Sequence, residues 1–252
     1  MSEHVIVTRQ GAVLVLRLER PEKKNALTVA MYAALADALG AAAADAGVRA
    51  VLVTGSGDAF TSGNDLHDFV ANPPSGPDSP VFRFLTALAS FPKPIVAAVN
   101  GLAIGIGTTM LLHCDLVVAD EAARFQLPFI NLGLVPEAAS SLLLPQLVGH
   151  RVAAELLLLG TPFDAHRAAT LGIVNKVAEQ GAALREATAW AVALTEKAPS
   201  ALAHGKRLLL APDRGVAARM QEEAAAFVAQ LAGPEFLEAV TAFREKRTPR
   251  FT

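Results

Sequence analysis

Two glycine-containing turns, Phe60-Thr-Ser-Gly-Asn-Asp-Leu66 and Gly101-Leu-Ala-Ile-Gly-Ile-Gly-Thr108, each run straight into a helical pattern. The first-turn amides of a helix have no internal acceptors and carry positive potential. Two such ends aimed at one point can hold a developing oxyanion, so the pair is a candidate oxyanion hole. Other groupings of reactive residue types fail on geometry. Gly105-Ile-Gly107-Thr-Thr-Met110 opens like a dinucleotide-binding loop, but it lacks the third glycine and the acidic residue that should end a following strand. Ser90 and Lys93 have the spacing of a serine and lysine that cooperate on a helix, yet Pro92 breaks the turn that would join them. His113-Cys114-Asp115 gathers nucleophile and base types, but strand neighbours point to opposite faces, so the trio reads as a buried polar edge. The histidines include no pair one helical turn apart with a glutamate, so no metal is expected.

The elements that must carry these turns alternate between strand and helix. Val5 and Val7, then Leu14, Leu16 and Leu18, alternate as in half-buried strands around a Gln10-Gly11 turn, which predicts a hairpin. Thr28 caps a helix running through the Ala-rich stretch to Gly47, and Arg49 to Thr54 is an apolar strand ending at Gly55. A short helix follows Asp65, another spans Val81 to Ser90, and the strand Ile95 to Val99 closes at Asn100-Gly101. A helix near Ile106 to Leu112 and a strand from Asp115 to Ala119 continue the pattern, so the expected class is α/β with a largely parallel sheet under helices. From Glu179 onward only helical patterns remain, with Val216, Met220, Ala224, Phe227 and Leu231 forming one amphipathic stripe. Pro73, Pro74, Pro77 and Pro80 exclude helix and ladder from the stretch Ala71 to Pro80, which predicts a mobile surface flap beside a site.

A chain of 252 residues can bury a large core, and one main domain with an appended helical end is expected. The formal charge of -2 leaves no surplus of Lys and Arg for nucleic acid or an anionic membrane. Although 52% of the residues are hydrophobic, no apolar run reaches the ~18–20 residues of a membrane span. The start, Met1-Ser-Glu-His-Val-Ile-Val, lacks the basic and apolar regions of a secretory signal. Cys114 is the single cysteine, which excludes an internal disulfide and a Cys-based zinc cluster. A soluble cytoplasmic protein is the default expectation.

Arg20-Pro-Glu-Lys-Lys-Asn-Ala-Leu27, the turn Phe60 to Leu66, Lys93-Pro-Ile-Val-Ala-Ala-Val-Asn-Gly101 and His113-Cys-Asp115 follow one another in a familiar order. In this the chain resembles the crotonase superfamily, also called the enoyl-CoA hydratase/isomerase family. The resemblance covers nearly the whole chain, continuing through Asn131-Leu-Gly-Leu-Val-Pro-Glu137, Ala168-Ala-Thr-Leu-Gly-Ile-Val174 and Ala242-Phe-Arg-Glu-Lys-Arg247. It implies an α/β crotonase-like spiral of strand-strand-helix (ββα) units over residues 1–195. A C-terminal helical trimerisation region over residues 196–252 would then build homotrimers or hexamers. The implied substrate is an acyl-CoA thioester, with coenzyme A part of the substrate and no separate cofactor. The amides that grip the thioester oxygen fall at Asn64 and Ile106, the latter replacing the central one of three glycines.

By the same resemblance, the two glutamates with which hydratases activate water fall at Thr109 and Phe129, neither of which can act as a base. Glu137 instead corresponds to the single catalytic glutamate of the 3-enoyl-CoA to 2-enoyl-CoA isomerases. On the residues alone, Glu137 also reads as an acid in the first turn of the next helix, where it suits the dipole. The resemblance implies an isomerase whose Glu137 carries a proton from C2 to C4. Hydration, thioester hydrolysis or decarboxylation with Glu137 placing water, and noncatalytic acyl-CoA binding, are the alternatives. Phe129, Ile130, Leu134 and Val135 offer apolar neighbours that would raise the pKa of Glu137. Substrate contacts are implied for Ser62, Gly63, Asp65, Leu66, Gly105, Thr109, Phe129 and Leu134, and coenzyme A contacts for Lys23, Lys24, Phe243 and Lys246. Asp65 is also explained as a helix cap, and Glu121 is a further acid that could assist.

Overall fold

The computed structural model describes residues 2–74, 76, 78–210 and 233–251. Strands β1 (Val5–Gln10) and β2 (Val13–Leu18) form the expected antiparallel hairpin, with Val5 paired to Leu18. β2 then starts a parallel run through β3 (Ala50–Gly55), β5 (Ile95–Val99), β7 (Leu116–Asp120) and β10 (Lys176–Ala178). The expectation that the hairpin strands are half-buried fails for β2. Leu16 and Leu18 enter the main core while Val13 and Val15 enter a second core on the opposite face. The cause is helix α8 (Ala183–Thr195), which lays Ala183, Ala187 and Ala191 over Leu52, Val96, Ala98 and Val118. Alanine every fourth residue gives a narrow stripe that allows close approach to the sheet. Buried Asp120 ties the helix there by accepting the Ala183 N–H at 2.8 Å.

A second sheet joins β4 (Ala59–Thr61), β6 (Leu102–Ile104), β8 (Arg124–Gln126) and β9 (Phe163–Asp164). Each turn of the spiral gives a long strand to the first sheet and a short one to the second: β3 with β4, β5 with β6, β7 with β8. Helical segments follow each pair, namely α2 (Leu66–Ala71) with α3 (Pro80–Ala89), then α4 (Ile106–Thr109), then α5 (Ser140–Val148). Helices α6 (His150–Ala154) and α7 (Ala165–Thr170) flank β9. The helix expected from Ile106 to Leu112 is shorter, passing into a 3-10 turn over Met110–His113.

Helix α1 (Val29–Ala44) is capped by Thr28, whose hydroxyl accepts the Met31 N–H. It buries Met31, Tyr32, Leu35 and Leu39 on one face, each such apolar side chain contributing ~1.5–3 kcal/mol. α3 meets that face through Phe84, whose ring lies 5.5 Å from that of Tyr32. Between α2 and α3 the described residues 72–74, 76, 78 and 79 form neither helix nor strand, as the prolines require. After β10 the described chain is helical, with α9 (Pro199–Leu210) and a C-terminal helix Pro234–Glu245. The stripe from Val216 to Leu231 lies outside the described residues. Among those described, no helix is long and apolar enough to cross a membrane.

Candidate active site

The loop from Arg20 to Leu27 exists to fix the first turn. Asn25 is fully buried at φ 56°, a left-handed position that asparagine tolerates better than most residues. Its side chain accepts the Arg20 N–H at 2.8 Å and donates to the Ser56 and Ala59 carbonyls at 2.8 and 2.7 Å. Leu27 then joins the turn as a parallel bridge: its N–H donates to Gly63 and its carbonyl accepts from Asp65. Such a bridge leaves the N–H of the middle residue, Asn64, pointing the other way. Among the described residues that N–H has no acceptor. Arg20 closes the turn with a 2.7 Å ion pair to Asp65, which holds the Asp65 carboxyl below its ordinary range. Asp65 also caps α2 by accepting the His67 and Asp68 N–H groups.

The second turn lies directly beside the first, because β4 and β6 are parallel neighbours that end at the same edge. Gly105 (φ 56°, ψ -117°) precedes Ile106, the first residue of α4, whose N–H has no intrahelical acceptor. The two turns touch through glycine. A Cβ on Gly107 would meet the Thr61 side chain at 2.7 Å, and one on Gly63 would lie 3.0 Å from the Ile104 carbonyl oxygen. The amides of Asn64 and Ile106 are therefore set by the spacing of two paired strands.

Glu137 reaches this place from an irregular arm. It precedes α5 by three residues, because Ala138 (φ 52°) and Ala139 (φ 55°) are left-handed and interrupt the helix. That corrects its reading as a first-turn helical acid. The hydroxyl of fully buried Thr109 donates to Glu137 Oε1, and Oε2 has no partner among the described residues. Burial pushes the half-buried Glu137 carboxyl up to about 7, with the Thr109 bond acting in the opposite direction. Tyr32 connects the acid to the first turn. Its hydroxyl donates to Asn64 Oδ1 at 2.5 Å, and its pKa is pushed up by burial and, secondarily, by the charge of Glu137. Tyr32 thus bonds Asn64 and feels the charge of Glu137, while Thr109, on the same short helix as Ile106, bonds Glu137.

A family model described as enoyl-CoA hydratase/isomerase matches residues 8–252. The chain belongs to the enoyl-CoA hydratase/isomerase family. A solved structure from Magnetospirillum magneticum AMB-1, provisionally named an enoyl-CoA hydratase/carnithine racemase, is 47% identical and superposes with a TM-score of 0.97, covering 100% of both chains. A 2,3-dehydroadipyl-CoA hydratase of Escherichia coli strain K12 is 36% identical over 253 residues, 100% of this chain and 99% of the relative. The enoyl-CoA delta isomerase 2 of Homo sapiens is 34% identical over 219 residues, 84% of this chain and 55% of the relative. The fold is accordingly that of the crotonase superfamily, and the chain is an enzyme of the enoyl-CoA hydratase/isomerase family, for which an acyl-CoA substrate is consistent.

Against this family background the remaining sequence candidates divide. Ser62 and Gly63 lie in the first turn, with the Ser62 N–H donating to the Lys24 carbonyl. The carboxylate of Asp65 is taken up by Arg20 and the α2 cap, so capping explains it. Leu66 is exposed, Gly105 sits at the mouth of the second turn, and Phe129 is buried in the main core. Ile130, Leu134 and Val135 do not enclose Glu137 as expected: they are 43, 50 and 77% exposed. Ile130 opens a surface 3-10 turn, Ile130–Leu132, and Leu134 and Val135 follow it, all three exposed. Lys24 is ion-paired to Asp58, whereas exposed Lys23 has no ion-pair partner among the described residues. Lys246 is exposed just past the C-terminal helix, and the Phe243 side chain lies outside what the structure describes. Glu121 is exposed after β7. Sequence reasoning missed Tyr32 and set His113 aside, because each is joined to the site by a hydrogen bond to a residue more than twenty positions away.

Proposed function

We propose that the chain is an enoyl-CoA isomerase that moves a 3,4 double bond to the 2,3 position. The observation that carries this reading is Glu137: a half-buried carboxyl with a pKa of about 7, gripped on one oxygen by Thr109. The positions at which hydratases carry their two glutamates hold Thr109 and Phe129, and Thr109 serves the single acid as a donor. The free Oε2 of Glu137 takes the proton from C2 of a 3-enoyl thioester. The electron pair of that C–H bond flows into a dienolate whose oxygen accepts the Asn64 and Ile106 N–H groups. Glu137 then gives its proton to C4, and the double bond settles between C2 and C3 with no net gain or loss of atoms. A pKa near neutrality suits a group that must both accept and return a proton.

Coenzyme A enters as part of the substrate, and the reaction needs no separate cofactor. Lys23 and Lys246 are our candidates for phosphate partners, a reading that their exposure supports. With residues 1–195 as spiral core and 196–252 as assembly region, the exposed Leu209, Leu210 and Phe236 support burial against further copies of the chain, in trimers or hexamers. Light scattering of the purified protein checks the assembly. Hydratase-named relatives favour a second reading, in which Glu137 places water on a 2-enoyl thioester. Incubation with 3-hexenoyl-CoA and, separately, 2-hexenoyl-CoA separates isomerisation, water addition and binding without turnover. Isomerisation is expected, with Glu137→Gln lowering kcat about 10²–10⁴-fold while the thioester still binds. Undiminished turnover in that variant would remove Glu137 from the mechanism.

A further inference from the structure

His113 ends the 3-10 turn that follows Thr109, four residues further along the same helical segment. Both reach the Glu137 arm: Thr109 binds the carboxylate, and His113 Nε2 lies 2.8 Å from the Ala138 carbonyl oxygen. A carbonyl only accepts, so Nε2 must carry the hydrogen. On the other side of the arm, the Ser140 N–H and hydroxyl both donate to the Glu137 carbonyl, at 3.0 and 2.7 Å. Between these anchors stand two consecutive alanines in left-handed conformation, a geometry costing ~1–2 kcal/mol per residue outside glycine. Such a backbone relaxes unless its surroundings hold it.

We infer that His113 is a positioning residue for Glu137, its Nε2–H holding the strained Ala138 carbonyl so that the carboxylate stays on Thr109 and over the reacting carbons. The inference rests on the proton-carrying role of Glu137. Burial lowers the pKa of His113, against the Ala138 bond and with the charge of Lys206, which favours a neutral ring with one hydrogen. The rejected nucleophile cluster thereby divides into separate tasks: His113 holds the arm, Cys114 is half-buried with its thiol pushed up to about 12, and Asp115 pairs with Lys206 at 2.8 Å.

Three variants test this with 3-hexenoyl-CoA, alongside thermal unfolding. His113→Gln places an amide N–H near the original Nε2, His113→Asn is one methylene too short, and His113→Leu has no donor. A displacement of about 1 Å at a reacting group costs ~10²-fold, so Asn and Leu are expected to lower kcat about 10–100-fold with KM within about twofold. Gln is expected to return kcat to within about threefold of the starting enzyme. Wild-type kcat in His113→Leu, or equal losses in the folded Gln and Asn variants, overturns the inference. Glu137→Gln measured in parallel separates the two ideas: if it is inactive while His113→Leu is unimpaired, only the positioning role fails.

Discussion

The first turn and the acid arm meet at one site but are held by different means. Asn64 and Ile106 lie just past the ends of adjacent parallel strands, in turns packed so closely that a Cβ on Gly63 or Gly107 would lie 3.0 or 2.7 Å from the facing turn. Asn25, through its bond to the buried Ala59 carbonyl, and Arg20, through its ion pair with Asp65, lock the first turn. Glu137 hangs on a stretch with exposed Leu132, Leu134 and Val135, kept in place by a few side-chain hydrogen bonds across a strained backbone. In the proposed reaction, charge stabilisation rests on the sheet, whereas proton transfer rests on an arm held by a few side-chain hydrogen bonds. A family that keeps the first and relocates the second can change reaction without changing fold, which fits relatives named both hydratase and isomerase.

The sheet side of this comparison is broken most directly by Ile106→Pro. Proline is tolerated at the first helical position but has no N–H, so kcat should fall about 10²–10³-fold in a protein that still folds. Retained kcat, with unfolding showing a native chain, would mean that this amide does not grip the oxygen. Next, Gly63→Ala forces a Cβ toward the Ile104 carbonyl at φ +94°, with an expected loss of ~1–3 kcal/mol in denaturant unfolding and reduced turnover. Wild-type stability in that variant would show that the two turns are less tightly coupled than their packing indicates.

The acid side is sharpened by pH. The base form of Glu137 must be deprotonated, so kcat/KM should rise about tenfold per pH unit below about 7 and level off above it. Thr109→Val removes the bond that lowers this pKa, which should move the rising limb to higher pH with a plateau loss below about tenfold. An unshifted limb would show that the titrating group is another one. The smallest effect belongs to the exposed rim. Lys23→Ala should raise KM about twofold to fivefold at low salt, the ~0.4–1 kcal/mol expected of a solvated charge contact, and the difference should shrink as salt is added.

Much of this architecture was legible in the residues. The hairpin, β3, β5 and the capped start of α1 carry periodicity and turn chemistry strong enough to be read directly. The two glycine turns also announced themselves, because an unsatisfied helix start after glycine has a local signature. The linear order of motifs, from Arg20 to Arg247, pointed to the family that the comparisons then showed.

Other features depended on three dimensions. The second sheet is built from strands of two or three residues, too short for any alternation to register, and exists only because the spiral brings them side by side. Burial of both faces of β2 required α8, which arrives 165 residues later in the chain and is nowhere signalled by the strand itself. Likewise, Glu137 owes its raised pKa to burial, against the opposing Thr109 bond, on an arm that runs through two left-handed alanines and is bonded one residue on by His113. Residue types and spacing determined which groups could act. Long-range packing determined which of them meet, because hydrogen bonds and desolvation act through distance in space and are blind to distance along the chain.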